Sequence, residues 1–318
     1  MKHSADFGRR AALRALAAMG TAAFLRPSLA TTLATTGAAT QASPVITRRI
    51  PSSGEAIPVV GLGSWITFNV GNDSVARDAC AQVMRNFFDA GGRMIDSSPM
   101  YGSSQQVIGY GLTKLDKTSE VFSADKVWTY SGSQGREQME TSRRYWNIKR
   151  FDLMQVHNLL SWEDHLPTLF EMKAAGQVRY VGITTSEGRR HKDFEKVMLS
   201  QPLDFIQVTY NILDREVEKH ILPFAKERGM AVIANRPFRQ RELIDWAKQF
   251  PLPSWAGEID CANWAQFLLK FIVSHPAVTC AIPATSRVDH VLENMDAATG
   301  RLPDEALRQR MIDYVEKL

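Results

Sequence analysis

Between residues 44 and 318, short apolar runs alternate with longer amphipathic stretches. The runs are "PVVGLGSW", "RMIDSS", "VFSADKVW", "FDLMQVH", "VRYVGIT", "DFIQVTY", "MAVIANR" and "VTCAIPA". Runs this short, bounded by turn residues, are expected to be strands. Between them, stretches such as "SVARDACAQVMRNFFDAGG" and "REVEKHILPFAKERG" carry helical spacing. The first of these is expected to start with Ser74 as N-cap and to stop at Gly91, a natural C′ residue. Eight strand-like runs, with helical pattern in seven of the intervals, imply repeated βα units and a parallel sheet.

Eight units over roughly 250 residues fit a closed (β/α)8 TIM barrel better than an open sheet. An open, doubly wound sheet would carry a G-x-G-x-x-G turn after its first strand. "GLGSWI" supplies Gly61 and Gly63, but Ile66 stands at the third position. The stretch "ITRRIPSSGEAIP", residues 46–58, is expected to form a small N-terminal hairpin closing the bottom of the barrel. No domain linker interrupts the barrel region, taken as residues 44–318.

Composition narrows the class without changing this picture. The 318 residues are 44% hydrophobic and 23% charged, in the range of globular proteins. The net charge of +4 is spread along the chain with no basic block, so no nucleic-acid partner is expected. Cys80, Cys261 and Cys280 have neither metal-ligand spacing nor a disulfide pattern, and no metal site is expected. "FLLKFIVSH" at 267–275 is too short for a membrane span and carries Lys270, so it is expected to be a buried helix end.

The first 43 residues differ from the remainder. Arg9 and Arg10 precede an Ala-rich apolar stretch ending near Leu25, and small residues follow to possible cleavage points at Ala30 or Ala42. That is the layout of an export signal. It resembles the twin-arginine type: Leu13 and Arg14 fit the pattern, while Gly8 and Ala12 depart from it. Residues 1–43 are therefore expected to be a signal and linker engaging the twin-arginine export machinery, with a periplasmic destination.

In a (β/α)8 barrel the chemistry sits at the C-terminal ends of the strands. Those ends place Asp96 after the second strand, Lys126 after the third and His157 after the fourth, with Tyr101 on the same rim. Singly, these could be a cap, a solvated charge, a half-buried imidazole and a packed ring; adjacent strand ends on one face make a functional set. A lysine ammonium within about 4 Å stabilises a phenolate by roughly 4 kcal/mol at an effective dielectric near 20. An aspartate holds that ammonium in place, and a histidine opposite directs a carbonyl oxygen. No side chain supplies a hydride, so a nicotinamide cofactor would complete the site.

"GLGSW", "MIDSSPMYGSSQQVIGYGL", "DLMQVHN", "QVRYVGITTS", "FIQVTYN" and "AIPATSRVDHVLENM" resemble the aldo-keto reductase superfamily, in order, from about residue 48 to 300. The resemblance implies reduction of an aldehyde or ketone by NADP(H), with NAD(H) as the alternative. It implies Tyr101 as general acid, Lys126 and Asp96 lowering its pKa, and His157 orienting the carbonyl. Cofactor positions implied by the same matching are Thr184, Thr185, Gln207, Asn235, Arg236, Thr285, Ser286, Arg287, Glu293 and Asn294. Thr184 and Thr185 replace a usual Ser-Asn pair, Asn235 replaces a stacking aromatic, and Ala284 lacks a lysine some members place on the 2′-phosphate. Trp65, Trp128 and Asn158 are expected to edge a fairly open substrate pocket, with Trp162 on its rim. The competing expectation is an NADP(H)-binding regulatory or assembly subunit with little turnover, motivated by the export signal.

Overall fold

The computed structural model describes residues 44–318; the expected export signal, residues 1–43, lies outside the described residues. The chain opens with an antiparallel hairpin, β1 (Thr47–Arg49) and β2 (Ala56–Pro58), paired Thr47 to Pro58 and Arg49 to Ala56. Gly54 makes its turn with a φ of 75°, a conformation glycine adopts without a Cβ penalty.

Eight parallel strands follow: β3 (Leu62–Gly63), β4 (Met94–Asp96), β5 (Phe122–Val127), β6 (Phe151–Val156), β7 (Val178–Thr184), β8 (Phe205–Thr209), β9 (Ala231–Asn235) and β10 (Cys280–Ala281). Each pairs with its neighbours in sequence. The sheet closes because Gly61 and Gly63 donate their N–H groups to the carbonyls of Ala281 and Pro283, at 2.8 and 3.0 Å. Small residues are needed at that seam: a Cβ on Gly63 would lie 2.8 Å from the Ile282 carbonyl oxygen.

The helices are α1 (Ser74–Asp89), α2 (Ser104–Leu115), α3 (Gly132–Trp146), α4 (Trp162–Ala174), α5 (His191–Ser200), α6 (Ile221–Glu227), α7 (Glu242–Ala247), α8 (Trp264–Ser274), α9 (Val288–Asp296) and α10 (Glu305–Val315). Expectation and structure differ at two ends. Asp73, not Ser74, caps α1: its backbone is extended and its Oδ1 accepts from the Ala76 N–H at 3.0 Å. The stop falls as expected, with Gly91 at a φ of 85°. The "REVEKHILPFAKERG" pattern splits into one 3₁₀ turn, Glu216–Glu218, and the shorter α6. The break puts Pro223 in the first turn of α6, where no intrahelical N–H bond is required.

Among the described residues no helix is long and apolar enough to cross a membrane. "FLLKFIVSH" is the buried end of α8; Lys270 is fully buried there and its Nζ donates to the carbonyls of Ile259, Thr299 and Arg301, at 2.7, 2.9 and 3.0 Å. The three cysteines are free and buried.

The core has two parts, as strand alternation demands. Outward-facing residues such as Ile95, Val127, Met154, Ile183 and Val232 pack under the helices. Inward-facing Met94, Phe122, Ala124, Leu153, Tyr180, Phe205, Ala231 and Ile233 fill the barrel, and Ile50 and Ile57 seal its lower end. Arg179 fastens that seal, bonding Glu55 of the hairpin and Asp152 of β6, while the Tyr180 hydroxyl donates to Ser53 Oγ at 2.7 Å.

One helix contact is unusually close. A Cβ on Gly109 of α2 would lie 1.9 Å from the Tyr145 carbonyl oxygen near the end of α3. Gly109→Ala forces two backbones apart, which outweighs its gain of about 1 kcal/mol in helix propensity. A net loss of about 2–3 kcal/mol is expected, read as a lower urea midpoint with unchanged slope.

Candidate active site

Strand alternation carries the inward face upward from apolar to polar side chains. Above Met94 comes Asp96; above Phe122 and Ala124 comes Lys126; above Leu153 and Gln155 comes His157. On the other side the same parity delivers Thr184, Gln207, Thr209 and Asn235. The polar set is thus the top layer of the barrel filling, at the strands' C-terminal ends.

The structure brings the four expected catalytic residues together. Lys126 is fully buried, and its Nζ donates to Asp96 Oδ1 at 2.6 Å and to the Ser97 carbonyl at 2.7 Å. The ammonium lies 5.4 Å from the centre of the Tyr101 ring. His157 meets that ring edge-on with centroids 5.8 Å apart, and Trp65 stands 6.5 Å away on another side. Gln207 Nε2 donates to Asp96 Oδ2 at 2.9 Å, so both carboxylate oxygens are engaged.

The electrostatics follow from burial and charge. Burial works against the Lys126 charge, but Asp96 and Tyr101 outweigh it and hold the ammonium above its ordinary value. His157 is driven down to about 2, first by burial and then by the Lys126 charge, and is neutral at any working pH. Burial pushes the Tyr101 phenol up; Lys126 pulls it down, and the negative charge of Asp96 pushes it up again. The expected lowering therefore comes from Lys126 alone, and the net shift is upward. The phenol keeps its proton at neutral pH, and Lys126 is the charge that eases its release.

Asp125 was not anticipated as part of this group. It points from β5 toward the helices, where Gln105 Nε2 bridges its Oδ2 at 2.8 Å and Ser142 Oγ at 2.9 Å. Burial raises its carboxyl to about 7. The unfolded chain releases that proton near the ordinary carboxylate value, the folded chain only near 7. Between those values the folded state holds more protons, so this group's contribution to stability falls as pH rises from about 4 to 7. Asp125→Asn is expected to flatten that decline, on the order of 3 kcal/mol, in urea unfolding compared at pH 5 and pH 8.

The expected cofactor positions form an arc from β7 to α9. Thr184 Oγ1 accepts from the Asn158 N–H at 2.9 Å and keeps its own proton to donate. Thr185 donates to the Arg189 carbonyl at 2.6 Å. Asn235 is spent on the scaffold, accepting from Thr209 at 2.7 Å and donating to the Thr185 carbonyl at 2.9 Å. Arg236 pairs with Glu187 at 2.8 Å, joining the loops after β7 and β9. On the far side Thr285 Oγ1 accepts from the Arg287 N–H at 3.1 Å, and Arg287 pairs with Asp289. Ser286 is exposed, Asn294 is buried and Glu293 lies half-buried on α9. Among the described residues Gln207 Oε1 has no hydrogen-bond partner, and Thr184 stands opposite Gln207 in the sheet, so the two offer a donor and an acceptor complementary to a primary carboxamide. The residues present fit a nicotinamide head and two anionic stretches beyond it.

The expected pocket residues lie on the loops after β3, β5 and β6. Trp65 flanks Tyr101, and Trp128 stands exposed at the end of β5, its backbone clamped by Gln138 at 2.6 and 2.8 Å. Asn158 accepts from Ser186 Oγ at 3.4 Å and donates its N–H to Thr184 Oγ1 at 2.9 Å. Trp162 is half-buried at the start of α4. Ile66, Met100 and Tyr130, none anticipated, add exposed apolar surface near the strand tops. An open cleft of about 830 Å³ lies between the loops after β7 and β8, lined by Glu187, His191, Asp214 and His220, and holds none of the four catalytic candidates.

Residues 59–249, more than half of the chain, match the aldo/keto reductase family. The chain belongs to that family. It is accordingly an oxidoreductase that reduces carbonyl groups with a nicotinamide cofactor. It is 26% identical over 255 residues to methylglyoxal reductase YeaE of Escherichia coli, covering 78% of this chain and 88% of that one. An NADH-specific methylglyoxal reductase of the same organism is 25% identical over 214 residues, covering 57% and 64%. The fold is that of an aldo/keto reductase from Klebsiella pneumoniae solved with NADP and acetate, at a TM-score of 0.73 and 23% identity, over 85% of this chain and 95% of that one.

Proposed function

We propose that this family member reduces a small aldehyde or ketone to its alcohol at the top of the barrel, with Tyr101 as proton donor. One observation carries the assignment: a fully buried lysine, held at 2.6 Å by Asp96, faces the ring of Tyr101 beside a neutral histidine. A buried ion pair costs desolvation, and here it serves to stabilise a phenolate as it forms. The cofactor supplies the hydride when bound. Thr184 and Gln207 would hold its carboxamide, and Arg236 and Arg287 would face its anionic stretches. His157 directs the carbonyl oxygen toward Tyr101, which releases its proton to that oxygen, and Lys126 balances the charge left on the phenol. NADP(H) is the expected cofactor, in line with the Klebsiella structure; the NADH-specific relative keeps NAD(H) as the alternative.

The exposed Trp128, Ile66 and Met100 favour substrates with an apolar substituent over fully hydrophilic ones. The methylglyoxal reductases support a small aldehyde as the first substrate to try. A steady-state screen of methylglyoxal, aryl aldehydes and quinones with NADPH and NADH tests the reading. Repeated turnover supports it; tight cofactor retention with a single turnover would favour the binding-subunit reading.

The reading extends to export through a twin-arginine route to the periplasm, supported by Arg9 and Arg10 ahead of the apolar stretch to Leu25. Fusing residues 1–43 to a reporter that works only when exported folded tests it. Loss of export in the Arg9→Lys, Arg10→Lys fusion is the expected result; unchanged export would point to an ordinary secretory signal.

A further inference from the structure

We infer that Ser98 is a positioning residue that fixes the tautomer of His157, making its Nε2 the hydrogen-bond donor to the substrate carbonyl. The inference rests on the proposed role of His157 and adds what sets it. Ser98 lies two residues beyond Asp96 and is completely buried. Its Oγ stands 2.8 Å from His157 Nδ1. The same oxygen accepts the Met100 N–H at 3.3 Å.

Those contacts assign the proton. A neutral imidazole carries one N–H and one bare nitrogen, and which is which follows from the partner of the other nitrogen. His157 is kept neutral by its burial and by Lys126, so one nitrogen must accept. The Ser98 oxygen already receives the Met100 N–H, and among the described residues its own proton has no acceptor except Nδ1. Ser98 therefore donates to Nδ1, and the imidazole proton resides on Nε2. Nε2 makes no hydrogen bond among the described residues and is not closed off in the interior, so it is free to donate to a ligand beside Tyr101. With the opposite tautomer, Nε2 would present a lone pair to the carbonyl oxygen and repel it.

The test needs no turnover for its first reading. In the full-length protein labelled with ¹⁵N-histidine, nitrogen NMR between pH 5 and pH 8 is expected to show His157 with a protonated Nε2, a bare Nδ1 and no titration. In Ser98→Ala that assignment is lost to a mixture or to the Nδ1–H form. The variant's kcat/KM for a carbonyl substrate falls about tenfold, the loss of roughly one hydrogen bond, while its affinity for NADPH is unchanged. Ser98→Thr, which restores a hydroxyl, recovers the tautomer. In a His157→Ala background, Ser98→Ala has no further effect on rate.

A protonated Nδ1 in the wild type would overturn the inference. So would Ser98→Ala that keeps both tautomer and rate, or one whose effect persists undiminished without His157. Absence of carbonyl turnover in the wild type would instead defeat the proposed activity and leave the nitrogen assignment standing.

Discussion

Tyr101→Phe is expected to lower kcat for carbonyl reduction by about a thousandfold while leaving NADPH binding unchanged. General acids contribute roughly 10²–10⁴ in rate, and among the described residues this site has no second proton donor of comparable placement. Lys126 is the nearest candidate, but two of its three protons go to Asp96 and Ser97, and its neighbours hold the ammonium above its ordinary value, so it is a poor acid. His157 would have to become an anion to replace the proton it gave. The ring itself stays packed against Trp65 and His157, so the substitution removes one oxygen and little else. Stopped-flow hydride transfer and fluorescence titration with NADPH separate the two effects. A variant that reduces an aldehyde as fast as the wild type would remove Tyr101 from the mechanism. In the wild type, the buried phenol is expected to put the alkaline limb of the pH–rate profile above the ordinary phenol range, read from kcat/KM measured against pH.

Lys126→Met should act on stability and on rate by separable routes. Deleting one partner of a buried ion pair leaves the other charge uncompensated, which costs about 3–5 kcal/mol. Asp96 would then keep the hydrogen bond from Gln207. The rate loss comes from the phenolate: the ammonium beside the ring offsets its charge by on the order of 3 kcal/mol at an effective dielectric near 20, or roughly a hundredfold. The double variant Asp96→Asn, Lys126→Met removes both charges. It is expected to regain much of the stability in urea unfolding and none of the rate. Recovery of rate along with stability would show that Lys126 only supports the fold.

The barrel was legible because its cue repeats. Eight apolar runs divided by amphipathic stretches leave few alternatives, and the near miss at Ile66 removed the main one. Asp96, Lys126 and His157 were legible for a related reason, since a strand's last inward residue faces the site. Ser98 and Asp125 were not. Ser98 lies beyond the end of β4, and nothing in the letters shows that the chain keeps its inward parity for two more residues. Asp125 sits in an apolar run next to a lysine, where a charge resembles an edge residue until Gln105 and Ser142 are found facing it. The cap of α1 falls one residue before Ser74 because Asp73 and Ser74 are both good caps, and only backbone conformation separates them. Asn158 follows His157 directly, and its left-handed backbone at a φ of 51° could not be read from the letters.

The seams of the barrel also constrain how the chain assembles. The plugging hairpin is the earliest described element to be synthesised, yet its fastening bond from Glu55 reaches Arg179, 124 positions later. The closing bonds between Gly61 and Ala281, and between Gly63 and Pro283, wait for almost the whole chain. Until then both edges of the growing sheet are open and the lower apolar layer lacks its cover. Contacts so distant in sequence slow folding and lengthen the exposure of sticky edges, so this enzyme is expected to lean on chaperones during synthesis far more than its final stability would suggest.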